Sequence, residues 1–390
     1  MKTEQIISTI TRPDTPTPKS ITIRDIAKVC GVGKTTVGAA IYGTGRISEQ
    51  KRADILRVAE EMGYDPALQT VARRLGLQKS QQRILNHVLA YFTELDFTFG
   101  AYAREPYRGI AAVCHRERFA VLLTENDDSI RPADILAGLP GTFARGDADG
   151  AIMAGHQGHL LDVLRRIPGF GDRPVVRLFH PSPDASCVLS DDQTGTADAT
   201  RHLLALGHRH FLHLYMPIES AIVINRVNGI QEALTEAGLD PAAQLSGLDL
   251  PPLLLTPQTA PHVLPRQGAP AQEVTLGADI LLPYLHAHPE ITAIFCENDA
   301  MALHLWHMLL NAGLHVPGDI SLIGFDDTDG MVDGTGVNHL TTIRLPLYDM
   351  GVAAADLLIQ RITGQLTEDE HRVLPVEFIV RQSTAPPRSR

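Results

Sequence analysis

Apolar residues in the stretch TIRDIAKVC recur at helical spacing. Ile23, Ile26, Ala27 and Cys30 fall at i, i+3, i+4 and i+7, with Arg24, Asp25 and Lys28 on the other face. Thr22 followed by Asp25 predicts a capping-box start, and Gly31 a stop. A second short helix is expected in KTTVGAAIYG, with Val37 and Ile41 facing inward. A third is expected in GRISEQKRADILRVAEEMGY, where Ser48 is a candidate N-cap, Ile55, Val58, Ala59 and Met62 share a face, and Gly63 closes the helix. Three short helices with a tight glycine turn between the first two predict a helix-turn-helix bundle. The second helix of such a bundle reads bases from its N-terminal residues, here Lys34, Thr35 and Thr36. On pattern alone, a three-helix interaction domain without DNA is the competing reading.

From Arg83 the pattern changes. The runs RILNHVLAYF, FAVLLTEN, GAIMAG, PVVRLF, HFLHLY, TAIFCEND and DISLIGFDD alternate with helical stretches, which predicts βαβ units and parallel sheets. Ligands in open α/β sheets sit beyond the carboxyl ends of strands. That rule singles out Asn298 and Asp299 after AIFCE, and Asp326 and Asp327 after SLIGF. The bland alternative for Asp299 and Asp326 is helix N-capping.

GVGKTT, residues 31–36, also resembles the end of a phosphate-cradling loop, which would make the chain a nucleotide hydrolase. That motif needs a glycine five residues before its Gly-Lys pair, and Lys28 stands there, on a stretch that reads as helix. The net charge of −11 argues against DNA until it is localised. Residues 22–83 hold eleven Lys/Arg against six acids, so a small basic head precedes an acidic body. Four scattered cysteines without a CxxC pair point to reduced thiols in a cytoplasm. No apolar run approaches the roughly 20 residues of a membrane helix. Residues 1–20, rich in Thr and Pro, read as a disordered leader, not an export signal. Among 17 histidines, His208, His210 and His213 in GHRHFLHLY suggest a metal. On a strand, however, His213 points away from the other two, and no acidic or Cys partner is near in sequence.

The head, TIRDIAKVCGVGKTTVGAAIYGTGRISEQKRADILRVAEEMGYDP, resembles that of the LacI/GalR family of bacterial transcriptional regulators. The resemblance rests on Thr22, Ile23, Asp25, Ala27, Gly31, Val32, Thr36, Val37, Ile47, Ser48, Gly63, Tyr64 and Pro66. It implies a DNA-facing set of Thr22, Lys34, Thr35, Thr36, Ala39, Tyr42 and Ser48, joined by Arg73 and Leu75 from a hinge in PALQTVARRL. There Leu75 would wedge open the minor groove; a plain linker helix is the alternative. The departures matter. Gly33 replaces a capping serine at little cost. Gly38 inside the helix costs roughly 1 kcal/mol relative to Ala. Ala39 replaces an Arg that helps read DNA, forfeiting roughly 1–3 kcal/mol of discrimination.

The resemblance continues through DDQTGTADATRHLLALGHRH, TAIFCENDAMALHLWHMLLNAGLHVPGDISLIGFDD and LTTIRLPLYDMGVAAADLLIQRITG to the final VLPVEFIVRQST. It implies a two-lobed, hinged body like a periplasmic sugar-binding protein of type I, with parallel sheets and the ligand in the cleft. The implied organisation is a head over 21–65, a hinge over 66–82 and a sensor over 83–384. Its first lobe covers about 83–206 and 344–374, its second about 207–343 and 375–384. Tyr102, Ser220, Arg226, Asn298, Asp299 and Asp326 are the implied ligand contacts, with a surface ion pair as the bland reading of Arg226. Leu347 stands where an aromatic is frequent. Carboxylate, guanidinium and aromatic groups suit a polyhydroxylated ligand. The Pro-rich stretch 248–272 reads as an excursion over one lobe. The expectation is a cytoplasmic, homodimeric, non-enzymatic repressor that binds operator DNA and a sugar-like effector, needs no cofactor or metal and does not meet a membrane. A sugar-binding protein without DNA activity is the alternative.

Overall fold

Thr22 starts the head by folding back on Asp25. Its N–H and hydroxyl both donate to Asp25 Oδ2, at 2.8 and 2.6 Å, and α1 (Ile23–Val29) follows. The computed structural model describes residues 21–43, 45–62, 64, 85–93, 100–125, 147–155, 158–167, 170–215, 221–249 and 278–388. They belong to two compact units, Met1–Asn86 and His87–Arg390.

In the first unit α1 stops at Gly31, whose φ of +62° is open to glycine and strained for most other residues. Val32 N–H then reaches back to Ala27 O at 3.0 Å. Helix α2 (Lys34–Tyr42) is capped by Gly33, and α3 (Glu49–Glu61) by Ser48, whose Oγ accepts from Lys51 N–H at 3.4 Å. Ile26, Ala27, Val37, Ala40, Ile55, Ala59 and Tyr64 are buried together as the small core. Arg52 of α3 donates Nε to Ala40 O at 3.2 Å, bringing positive charge to the carbonyl end of α2. The interface between helices thereby fixes how the start of α2 is presented.

The second unit contains twelve strands among the described residues. In chain order they are β1 (Val88–Thr93), β2 (Ala120–Glu125), β3 (Gly150–Ala154), β4 (Val175–Leu178), β5 (Ser186–Ser190), β6 (Phe211–Tyr215), β7 (Leu245–Asp249), β8 (Ala293–Cys296), β9 (Ser321–Ile323), β10 (Thr342–Arg344), β11 (His371–Leu374) and β12 (Glu377–Ile379). They build a parallel six-stranded sheet, β11-β5-β4-β3-β1-β2, and a parallel four-stranded sheet, β7-β6-β8-β9. A short antiparallel pair, β10 with β12, lies outside both. β1, β3 and β4 are almost wholly buried, as apolar strands covered on both faces must be.

One helix crossing positions the site. Helix Asp192–Leu206 packs on helix Ala221–Glu236, and Gly229 lies at their contact. A Cβ there would fall 2.1 Å from Gln193 O and 2.2 Å from Thr196 Oγ1, so only glycine permits the approach. Thr196 Oγ1 donates to Arg226 O at 2.9 Å and sets how the two helices lie along one another.

Gly38 is a different case, since nothing lies within 4 Å of where its Cβ would be. Gly38→Ala should stabilise α2 by about 1 kcal/mol through helix propensity. Hydrogen exchange of the α2 amides in the full chain should slow by about fivefold, and faster exchange would show a hidden steric conflict.

Candidate functional site

Four carboxylates follow directly from strand ends: Asp192 after β5, Glu297 and Asp299 after β8, and Asp326 after β9. Arg226, buried on helix Ala221–Glu236, reaches into them. Its Nε donates to Asp192 Oδ2 at 3.0 Å. Its Nη1 donates to Glu297 Oε1 at 3.0 Å and to the Glu297 carbonyl oxygen. The guanidinium carbon lies 3.5 Å from the centroid of the Phe325 ring, a cation–π contact. Ser190 Oγ donates to the second oxygen of Asp192. Burial pulls the Arg226 pKa down, but Glu297, Asp192 and Asp326 outweigh it and hold the group firmly protonated. The surface ion pair envisaged for Arg226 is therefore replaced by a buried network.

Asp326 sits on a clamped loop. On one side Asp299 holds it: Oδ1 accepts from Thr342 Oγ1 at 2.6 Å, and Oδ2 from the N–H groups of Thr328 and Asp329 at 2.9 and 3.4 Å. On the other side, Asp327 accepts from Arg344 Nε at 2.8 Å and pairs with Arg381 Nη2 at 2.7 Å. Between them Asp326 has a φ of +102°, a costly conformation for a non-glycine residue. Its N–H donates to Ile343 O at 2.8 Å. Asp326 is only 9% exposed, and no described residue bonds or ion-pairs with its carboxylate. Burial raises its pKa well above the usual carboxylate range, against the pull of Arg226.

The other expected contacts divide. Asn298, not Asp299, is the helix cap: Asn298 Oδ1 accepts from Met301 N–H at 2.8 Å. Asp299 is fully buried with both oxygens bonded within the chain. Tyr102 stacks on Phe179, centroids 5.0 Å apart and planes at 23°. Phe179 belongs to the apolar cluster that contains Phe325 and Leu347, and Tyr102, partly buried, packs against that cluster. Ser220, Arg73, Leu75 and the hinge over 66–82 lie outside the described residues, as does most of 248–272.

In the head, Lys34 and Thr35 are exposed at the start of α2, Thr36 and Ala39 are half-buried, and Tyr42 ends the helix. Thr22 and Ser48 are committed to the caps of α1 and α3.

Asp192, Glu297 and Phe325 are functional residues that the sequence does not single out, although all three stand near strand ends. For Asp192 the reason is local: β5, SCVLS, is short and partly polar and carries no clear strand pattern. The three histidines do not share a strand as expected: His208 and His210 precede β6, which begins at Phe211. His208 bonds Thr292 Oγ1 and Ala385 O, both at 2.8 Å. His213 does have an acidic neighbour, Glu297 Oε2 at 3.8 Å, contributed from 84 positions along the chain. Among the described residues no group of three His, Cys, Asp or Glu side chains could hold a metal ion.

Comparison with known proteins agrees with this architecture. Residues 22–67 match the family described as bacterial regulatory proteins, lacI family. Residues 142–247 match the periplasmic binding proteins and sugar binding domain of LacI family. Residues 200–384 match a periplasmic binding protein-like domain. The chain is 26% identical to the HTH-type transcriptional regulator CelR of Thermobifida fusca, over 93% of this chain and 98% of that one. It is likewise 26% identical to the HTH-type transcriptional repressor PurR of Vibrio atlanticus, with the same coverage of each chain. A LacI family transcriptional regulator from Enterococcus faecium, solved with bound ribose, aligns at 27% identity and a TM-score of 0.60, over 77% of this chain and 100% of that one.

Burial pushes the Asp299 pKa up to about 8, against the donors from Thr342, Asp329 and Thr328. The folded body therefore keeps a proton that the unfolded chain releases near pH 4. This group's contribution to stability is complete below about pH 4 and is lost as pH rises towards 8. Urea unfolding of Asp299→Asn should lack that part of the slope, at most about 1.4 kcal/mol per pH unit. Parallel wild-type and variant profiles between pH 5 and 8 would show that Asp299 stays ionised.

Proposed function

From the premise that this chain belongs to the LacI family of bacterial regulatory proteins, we propose that it is a transcriptional repressor whose hold on operator DNA is set by a small ligand. That ligand is polyhydroxylated, and the chain acts by binding, without catalysis, in the cytoplasm. No helix among the described residues is long and apolar enough to cross a membrane. One observation carries the reading: a helix-turn-helix unit is joined in one chain to a body that holds an unpaired, nearly buried carboxylate at a strand end.

On the DNA side, the start of α2 presents exposed Lys34 and Thr35 to base edges. Arg24, Lys28, Arg46, Lys51 and Arg57 are exposed as phosphate contacts. Two copies of the chain would place two heads on a near-palindromic operator, with Arg73 and Leu75 in the hinge. On the ligand side, sugar hydroxyls donate to Asp326, and Tyr102 offers an aromatic face. Among the described residues Arg226 Nη2 has no hydrogen-bond partner, which leaves it for a ligand oxygen. The ribose bound by the Enterococcus faecium regulator supports this class of ligand. Asp326 is bonded through its own N–H to β10, the strand that lies in the chain between the four-stranded sheet and helix Leu347–Thr363. A ligand that grips Asp326 thus acts on the connection between the sheets, and it shifts the DNA-binding equilibrium by its differential affinity for the two states.

The test uses duplexes that the full chain selects from a random pool, with fluorescence anisotropy as the readout. Affinity should fall at least about tenfold between 50 and 200 mM salt, because phosphate contacts release counterions. Lys34→Ala should change which bases matter. Asp326→Asn should bind the same duplexes but ignore every sugar that alters wild-type binding. Salt-independent binding would overturn the DNA reading, and a sugar response that survives Asp326→Asn would overturn the ligand site.

A further inference from the structure

The charges of the strand-end cluster are unequal. Among the described residues, the carboxyl groups of Asp192, Glu297, Asp299 and Asp326 interact with the one guanidinium of Arg226 or with one another. Arg226 commits Nε to Asp192 and Nη1 to Glu297. Asp299, met by one hydroxyl and two backbone N–H groups and with its pKa pushed up to about 8, adds no charge at pH 7, so Asp326 is the carboxyl group left without a cation. The neighbouring cations Arg344 and Arg381 are both committed to Asp327.

Two acceptors remain. One is the Asp326 carboxylate, nine-tenths buried and without a partner. The other is Glu297 Oε2, buried and unbonded. His213, whose Nε2 lies 3.8 Å from that oxygen, does not supply the missing charge, because burial holds its pKa down at about 3. A neutral hydroxyl could bond to Asp326 but would not offset the burial that raises its pKa. An acidic sugar would bring a second carboxyl group to a site that has no cation to spare. A protonated amine brings N–H donors and the positive charge together, in a setting where low dielectric strengthens the attraction.

We propose that the ligand of this site carries a protonated amino group, making it an amine-bearing polyol of the amino-sugar class. This rests on the reading of Asp326 as the ligand-facing carboxylate. Glu297 then acts as a specificity determinant, setting the field beneath Asp326 without touching the ligand.

Calorimetric titration of the full chain at pH 7 tests this with two matched sets: glucosamine, glucose and glucuronate, and galactosamine, galactose and galacturonate. In at least one set the amine should bind about tenfold or more tightly than its neutral partner, with no detectable binding of the acid. Within Glu297→Gln, the ratio of amine to neutral affinity should fall severalfold. A neutral or acidic member that binds as tightly as its amine overturns the proposal, and so does the absence of binding by all six. If such neutral binding disappears in Asp326→Asn, the ligand site itself stands and only the amine preference has failed. If it survives that substitution, both readings fall.

Discussion

The body is organised around one buried guanidinium. Arg226 lies on a helix, yet its partners are a residue that opens another helix, Asp192, and one that leaves a strand, Glu297. Bringing such a charge out of water costs several kcal/mol, and only well-placed partners repay it. Here they are two carboxylates at 3.0 Å, a backbone carbonyl and an aromatic face. This network stabilises one arrangement of the three elements more than it stabilises the fold in general. The backbone supports it: Gly229 allows the two helices to touch, and Thr196 holds Arg226 by its carbonyl.

The same arrangement leaves Asp326 available. Asp299 and Asp327, its neighbours in space and in sequence, have all their oxygens engaged, and they hold the loop that carries it. A carboxylate kept in a left-handed conformation, nearly buried and unpaired, is an expensive local state. Folding alone gains nothing from it, whereas the proposed donor-bearing ligand would relieve it. Because the Asp326 N–H is bonded to β10, such relief would act on the chain that connects the two sheets. The head contributes the other half of the proposed function, with a core of its own that fixes how Lys34 and Thr35 are presented.

How much of this was legible depended on the range of the interaction. The head is governed by contacts a few residues apart, so spacing located its helices, and Thr22, Ser48 and Gly31 marked their ends. Strands with almost purely apolar sequences, such as β1 and β8, were equally plain. The three-residue strand β10 was not, because TIR gains its order from pairing with Phe378 and its neighbours, far along the chain. Arg226 was singled out by resemblance, but its partners lie 34 and 71 positions away, and nothing local points to them. The choice between Asn298 and Asp299 as helix cap also escaped the sequence. Adjacent polar residues at a strand end differ only in which one a later strand draws inward, and Thr342 of β10 draws Asp299.

The central claim, that Arg226 works by neutralising carboxylates it has helped to bury, is tested most directly by a double-mutant cycle on the unfolding free energy of the body. Arg226→Met alone leaves Asp192 charged and unpaired and should cost about 3–5 kcal/mol. Adding Asp192→Asn removes the orphaned charge. The double variant should then be more stable than the sum of the single effects implies, by about 1–3 kcal/mol. Additivity within about 0.5 kcal/mol would contradict the account, because the two side chains would then contribute independently.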